Sequence, residues 1–193
     1  NQMPQALDAY KAFFIMLPRP PISTLFSYAM LIPTNQMPQA LDAYKAVMKE
    51  HPSDVVAKNG YAEVLKAMNQ IPEALDAYKT VMNEHPENVV AKNGCASVLA
   101  LMERWDEALA LLPESAPVTP SDWIGYHIRG MILLRTGEIE AAIRVFKKGV
   151  NEDPRPDSKD YFRTALAVAQ LRQRQYLEAR STLDQVASPV LGH

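Results

Sequence analysis

The stretch NQIPEALDAYKTVMNEHP, residues 69–86, decides the fold because it is one copy of a unit that recurs every 34 residues. NQMPQALDAYKA stands at residues 1–12 and returns letter for letter at 35–46. HPSDVVAKNG at 51–60 returns as HPENVVAKNG at 85–94. A repeat of this fixed length is typical of helical hairpins stacked into a solenoid.

The same period persists at single positions outside the copied stretches. An alanine recurs every 34 residues, with a bulky apolar residue four residues later and a proline 12 residues later. The alanines are Ala6, Ala40, Ala74, Ala108 and Ala142, the bulky residues are Tyr10, Tyr44, Tyr78, Leu112 and Phe146, and the prolines are Pro18, Pro52, Pro86, Pro120 and Pro154. Ala179 and Leu183 continue the series after three extra residues, which fit a loop at 154–158.

This spacing predicts how each hairpin packs. Residues i and i+4 share a helical face, so the alanine lets the partner helix approach closely and the bulky side chain fills the space beside it. The proline lacks a backbone N–H and ends the second helix or starts the next hairpin. Asp54, Asn88 and Asp122 follow the prolines and are predicted to cap the next helix.

The pattern resembles the tetratricopeptide repeat (TPR) family over nearly the whole chain. Matching small residues in the first helices are Ala62, Ala96, Gly130 and Ala167, and matching large apolar residues are Leu65, Leu99 and Leu133. The resemblance implies an all-α, right-handed superhelical solenoid of about five antiparallel helical hairpins that begins with an extra half-repeat helix. The family's early tryptophan is replaced by Lys58, Lys92 and Tyr126, and Pro113 is expected to shorten one second helix. Trp105 occupies a position where the family has a large core aromatic.

We expect three regions: a divergent half-repeat and apolar helix at 1–34, the TPR array at 35–188 and a tail at 189–193. Residues 13–34, FFIMLPRPPISTLFSYAMLIPT, carry one charge, Arg19. This segment is interpreted as a divergent first helix, as an exposed apolar patch for self-association, or as an artefact of the sequence. Because the chain begins at Asn1 in the middle of a repeat, we expect it to be part of a larger protein.

Composition restricts the class of partner. The net charge is −2 and the isoelectric point about 6.1, with no basic run, which argues against nucleic acid and against an RNA-reading helical repeat. The apolar run at 22–33 is too short to span a membrane. The lone Cys95 cannot form an internal disulfide and favours a reducing compartment, so we expect a cytoplasmic protein and a buried thiol.

The sequence predicts no enzyme. The four histidines do not have metal-ligand spacing, and no catalytic triad or glycine-rich phosphate loop is recognisable. We therefore expect no catalytic residues, no cofactor and no metal.

The resemblance to TPR proteins implies that the first helices line a concave groove. The residues expected to face it are Asn59, Glu63, Lys66, Asn93, Ser97, His127, Met131 and Arg135. A ladder of asparagine amides suits an extended peptide because each amide donates and accepts hydrogen bonds. The alternative is that these residues pair within their own hairpins, and that His127 is a packed or solvated histidine. The family's carboxylate clamp is disfavoured because Glu63 and Ser97 stand where it requires asparagine.

The predicted function is a non-catalytic protein–protein interaction module that binds a partner peptide or protein in this groove. The alternative is a homo-oligomeric assembly scaffold that uses the apolar N-terminal segment and the ends of the solenoid.

Overall fold

The computed structural model describes residues 34–115, 122–153 and 156–186. The predictions for the half-repeat and apolar segment at 1–33 and for the tail at 189–193 lie outside the described residues. Nine α-helices follow a 3-10 turn at Thr34–Gln36 in the described part of the chain, which contains no strand. They are α1 (Met37–Glu50), α2 (Val55–Ala67), α3 (Ile71–Glu84), α4 (Val89–Leu101), α5 (Trp105–Ala110), α6 (Trp123–Thr136), α7 (Ile139–Glu152), α8 (Pro156–Arg172) and α9 (Tyr176–Leu183).

The helices form two compact units, and the division falls inside α4, between Val98 and Leu99. In the first unit α2 packs against both α1 and α3. In the second unit α6 packs against α5 and α7, and α8 packs against α7 and α9. Sequential neighbours packed through short connections are the arrangement that the 34-residue period predicts, so the all-α hairpin fold is confirmed.

Capping explains where two of the helices start. The Asp54 carboxylate accepts the N–H of Ala57 at 2.9 Å, and Asn88 Oδ1 accepts the N–H of Ala91 at 2.8 Å. The prediction of a cap at Asp122 is wrong, since its side chain makes no capping hydrogen bond. Asp122 has helical backbone angles, φ −79° and ψ −16°, rather than the extended angles that turn a side chain back onto the first helical amides.

The four turns inside the hairpins share one backbone conformation. Its central residue has a left-handed backbone, with φ of 60° at Asn69, 58° at Glu103, 93° at Gly137 and 62° at Arg174. In each turn the following N–H reaches back to the carbonyl five residues earlier, at 2.8–2.9 Å. This is a Schellman-type end, which glycine favours because it has no Cβ, yet only one of the four residues is glycine.

In the first unit a tyrosine ring from one hairpin lies against a glycine of the next. A Cβ on Gly60 would overlap the ring of Tyr44, and a Cβ on Gly94 would overlap the ring of Tyr78. Tyr78 and Ala74, which is one turn earlier, are both fully buried. The alanine and aromatic positions therefore pack as predicted, and the glycine of the VVAKNG stretch is required by the ring.

The second unit has a core of aromatic rings. Trp123 makes edge-to-face contacts with Tyr126 at 5.7 Å and with Phe162 at 6.0 Å between centroids. Phe146 is fully buried, and its ring occupies the space that a Cβ on Gly130 would need. At the end of the series Leu183 departs from the pattern, because 46% of its surface is exposed.

The short helix α5 confirms the effect expected of Pro113, since it ends at Ala110 after six residues. The prediction that Trp105 belongs to the core is wrong in part, because the residue is only half-buried. The guanidinium of Arg135 lies over its ring, 5.7 Å from the centroid. Cys95 is buried, as predicted.

Candidate partner-binding surface

Three polar side chains of the first unit form a hydrogen-bonded group between α2 and α3. The Glu63 carboxylate accepts the Tyr78 hydroxyl at 2.5 Å and the Lys66 ammonium at 2.8 Å. The side chains of Lys66 and Glu63 are 15% and 16% exposed, so both reach the surface. Burial, and then the charge of Glu63, raises the pKa of Tyr78 well above its usual value. The hydroxyl therefore stays protonated and keeps the carboxylate in place.

Asn59 is oriented by the cap of α4. Its Nδ2 donates to Asn88 Oδ1 at 3.3 Å, and the same oxygen accepts the N–H of Ala91. Since that oxygen can only accept, it fixes which end of the Asn59 amide faces it. Asn59 Oδ1 is buried and has no partner among the described residues.

Asn93, the repeat equivalent of Asn59, has a different environment. It is buried, with 3% of its surface exposed, whereas Asn59 is half-buried. Ser97 lies one turn later, and its hydroxyl donates to the Asn93 carbonyl at 2.9 Å. The two asparagines of the predicted ladder are thus not presented alike.

In the second unit His127 packs among aromatic rings. Its ring centroid lies 5.1 Å from that of Phe162 and 5.8 Å from that of Phe146. Burial lowers the pKa of His127 to about 4, against the opposing effect of a hydrogen bond to the backbone of Tyr161. The imidazole is therefore neutral at physiological pH, and its Nε2 is buried with no partner among the described residues.

The other two predicted residues of this unit reach the surface. Met131 is 39% exposed, and Arg135, four residues later on the same face of α6, is also exposed. Arg135 is positioned by its contact with the Trp105 ring. The structure thus brings Glu63 and Lys66 together in one unit and places Met131 and Arg135 on one face in the other.

Solved structures with the same arrangement of helices identify the fold. MamA residues 41-end from Desulfovibrio magneticus RS-1 is 17% identical, with 86% of this chain and 92% of that chain covered and a TM-score of 0.62. PilF of Pseudomonas aeruginosa is 19% identical, with 97% and 79% covered and a TM-score of 0.67. A protein described as a kinesin light chain of Podospora anserina with nearly identical TPR-like repeats is 20% identical, with 86% and 92% covered and a TM-score of 0.62.

The chain has the TPR fold. The likeness to these structures, at 17–20% identity, concerns the fold alone. No protein-family model matches the sequence, and no curated protein matches it.

Within the TPR fold, α2, α4, α6 and α8 are the first helices of successive hairpins. They expose apolar residues that the sequence interpretation missed. Val56 on α2 is 66% exposed, and its repeat equivalent Val90 on α4 is 39% exposed. The signal was present, because each valine lies three residues before the asparagine of the VVAKNG stretch and so shares its helical face. Three more such residues, Tyr161, Val168 and Leu171, lie on α8.

The described residues contain no group of histidine, cysteine, aspartate or glutamate side chains arranged to hold a metal ion. Among the same residues, no helix combines the length and the apolar character needed to cross a membrane.

Proposed function

We propose that this chain is a non-catalytic protein-interaction module that binds a partner peptide or protein through the exposed faces of its first helices, as part of a larger protein. The supporting observation is the group formed by Glu63, Lys66 and Tyr78. The side chains of Glu63 and Lys66 reach the surface of α2, while hydrogen bonds of 2.5 Å from the buried Tyr78 hydroxyl and 2.8 Å from Lys66 restrain the carboxylate. Anchors held in this way lose little conformational entropy when a ligand binds, which favours recognition.

The other predicted residues belong to the same proposal. Asn59 and Glu63 lie on one face of α2, and Met131 and Arg135 lie on one face of α6. The face of α2 offers hydrogen-bonding groups to an extended peptide, and the face of α6, considered by itself, offers an apolar contact beside a cation. The methionine adapts readily to different apolar side chains.

The test starts with partners captured from an extract of the source cell, identified by mass spectrometry and purified. Asn59→Ala should weaken the binding of such a partner by about tenfold, which is the effect of losing one well-placed hydrogen bond. Asn83→Ala is the matched control, because Asn83 is exposed on α3, the other helix of the hairpin. If the two variants bind the partner equally well, the face of α2 is not the binding surface.

A second candidate function is homotypic assembly, and α9, the last helix that the structure describes, favours it. On α9, Tyr176 is 64% exposed, Leu177 82% and Leu183 46%. Exposed apolar side chains that lie close together often mark a surface for protein–protein contact. Light scattering over a range of concentrations would show dimers or longer assemblies if α9 makes contacts between copies, and Leu177→Asp should reduce their size. A constant monomer mass excludes this candidate.

A further inference from the structure

The second unit presents a mixed apolar and cationic surface that the polar group on α2 does not resemble. We call it the α6/α8 face and define it by Met131, Arg135, Tyr161, Val168, Leu171 and Arg172. The exposed fractions of its apolar members are 39% for Met131, 56% for Tyr161, 43% for Val168 and 46% for Leu171. Both arginines are exposed.

Contacts at both ends hold the two helices of this face side by side. Near their starts, His127 of α6 meets the Phe162 ring of α8, with 5.1 Å between centroids. Near their ends, Arg172 Nη1 donates to the carbonyl of Leu134 at 2.8 Å. Met131 and Val168 lie between these two contacts along their helices and occupy equivalent repeat positions, so they belong to one continuous surface.

The charge of this surface is one-sided. Helix α6 contains Arg129 and Arg135 and no acidic residue. Among the described side chains of α8, the single carboxylate is that of Asp160, which is neutralised by Arg163 at 2.7 Å. The hydrogen bond to Leu134 uses one of the five N–H donors of Arg172, which leaves the exposed guanidinium able to bind an anion as well.

We propose that the α6/α8 face binds an acidic amphipathic segment of the partner protein, an inference that rests on the proposed interaction function and gives the chemistry of its ligand. Apolar side chains of the segment pack on Met131, Val168 and Leu171. Its carboxylates pair with Arg135 and Arg172, which flank these apolar residues. A basic or uncharged segment would satisfy the apolar surface but leave the arginines without an anion, so it binds more weakly.

Two synthetic peptides of about 14 residues test the proposal. Both carry leucine at i, i+3, i+4 and i+7, and the remaining positions are glutamate in one peptide and lysine in the other. The glutamate peptide should bind at least about tenfold more tightly at low salt, as measured by fluorescence anisotropy. The difference in affinity between the two peptides should decrease as salt is added, because salt screens the exposed charges.

Two variants of the protein test whether the glutamate peptide binds to the α6/α8 face. Val168→Asp should weaken the binding of the glutamate peptide by about tenfold or more, since it places a carboxylate in the middle of the face. Met102→Asp is the matched control: Met102 is 39% exposed in the turn after α4, so the same type of substitution there should leave affinity unchanged. Circular dichroism confirms that both variants keep their helices.

Equal affinity of the two peptides, or equal weakening by Val168→Asp and Met102→Asp, overturns the inference. Failure of both peptides to bind overturns it too. The proposed interaction function has a separate test, because Asn59→Ala is measured with the captured partner and not with these peptides.

Discussion

The two units fill the same repeat position with different chemistry. In the first unit the buried aromatic of the second helix is Tyr78, whose hydroxyl bonds to Glu63. In the second unit the equivalent residue is Phe146, and the residue equivalent to Glu63 is Met131. The tyrosine hydroxyl is thus paired with a glutamate carboxylate. The phenylalanine has no hydroxyl, and the residue equivalent to the glutamate is a methionine, whose thioether can face solvent.

This difference teaches that this repeat position calls for a bulky side chain but leaves its polarity open. A buried hydroxyl requires a partner, and the carboxylate that satisfies it is thereby placed at the surface of the neighbouring helix. The packing requirement inside the hairpin therefore determines which groups the outside can present. The first unit presents a charged pair, and the second presents an apolar residue beside an arginine.

The largest effect is expected from Phe146→Ala. Removing a fully buried ring from the aromatic core should lower the free energy of unfolding by about 3–5 kcal/mol. Both tryptophans lie in the second unit, so urea denaturation followed by tryptophan fluorescence reports this loss directly. Met131→Ala on the neighbouring helix is the control and should change stability by less than about 0.5 kcal/mol, because its side chain is partly in solvent. Equal losses would contradict the assignment of Phe146 to the core.

A smaller effect is expected on how the stability of the second unit depends on pH. The pKa of His127 falls from about 6.5 in the unfolded chain to about 4 in the fold, so the unfolded chain binds more protons between these values. The second unit should therefore lose about 2–3 kcal/mol of stability as pH falls from 6.5 to 4. His127→Phe retains an aromatic ring without the titration, and its fluorescence-detected stability should vary less over this range. An unchanged pH dependence would contradict the burial of the imidazole.

The pair formed by Tyr78 and Glu63 can be converted into the chemistry of the second unit. Tyr78→Phe and Glu63→Met should each lower the free energy of unfolding by about 1–2 kcal/mol, since each removes one side of a charge-assisted hydrogen bond. The double variant should cost less than the sum, by about 1 kcal/mol, because neither group is then left unpaired. Urea denaturation followed by circular dichroism measures all three. Strict additivity would show that the hydroxyl and the carboxylate do not stabilise each other.

The smallest effect concerns the turns inside the hairpins. Gly137→Ala should lower stability by about 1 kcal/mol because alanine is strained at φ 93°. Arg174→Gly should raise it by about 0.5–1 kcal/mol, since it relieves a left-handed arginine. Thermal denaturation of the two variants suffices for the comparison. Shifts of the same sign would contradict the Schellman geometry at one of the two turns.

Much of the fold could be predicted because the period shows the packing directly. The alanine at 74, the ring at 78 and the proline at 86 together indicated a helical face, a filled space and a helix end. The left-handed turns at Glu103 and Arg174 could not be predicted, because neither residue type favours such a backbone. The cap predicted at Asp122 was also wrong, because a residue type suited to capping does not by itself adopt the extended backbone angles that capping needs.

Less of the candidate surface could be predicted, because the repeat copies residues but not their surroundings. Asn59 and Asn93 are identical in sequence context, yet one is half-buried and the other buried. The sequence leaves open whether His127 is packed or faces the groove, and in the structure its ring contacts those of Phe146 and Phe162. Val56 is a residue that the polar pattern does not mark, although its spacing from Asn59 places it on the same face. The assignment of these residues to a binding role remains a proposal.

The glycines beneath the aromatic rings limit how these repeats could be rearranged. Tyr44 and Tyr78 each use a glycine in the following hairpin, whereas Phe146 uses Gly130 in its own hairpin. Exchanging repeats between the two halves would therefore separate a ring from the glycine against which it packs. The new junction would then contain either a steric overlap between the ring and a Cβ or an unfilled space. Duplicating the 34-residue unit of the first half, which carries both tyrosine and glycine, should lengthen the protein without that defect.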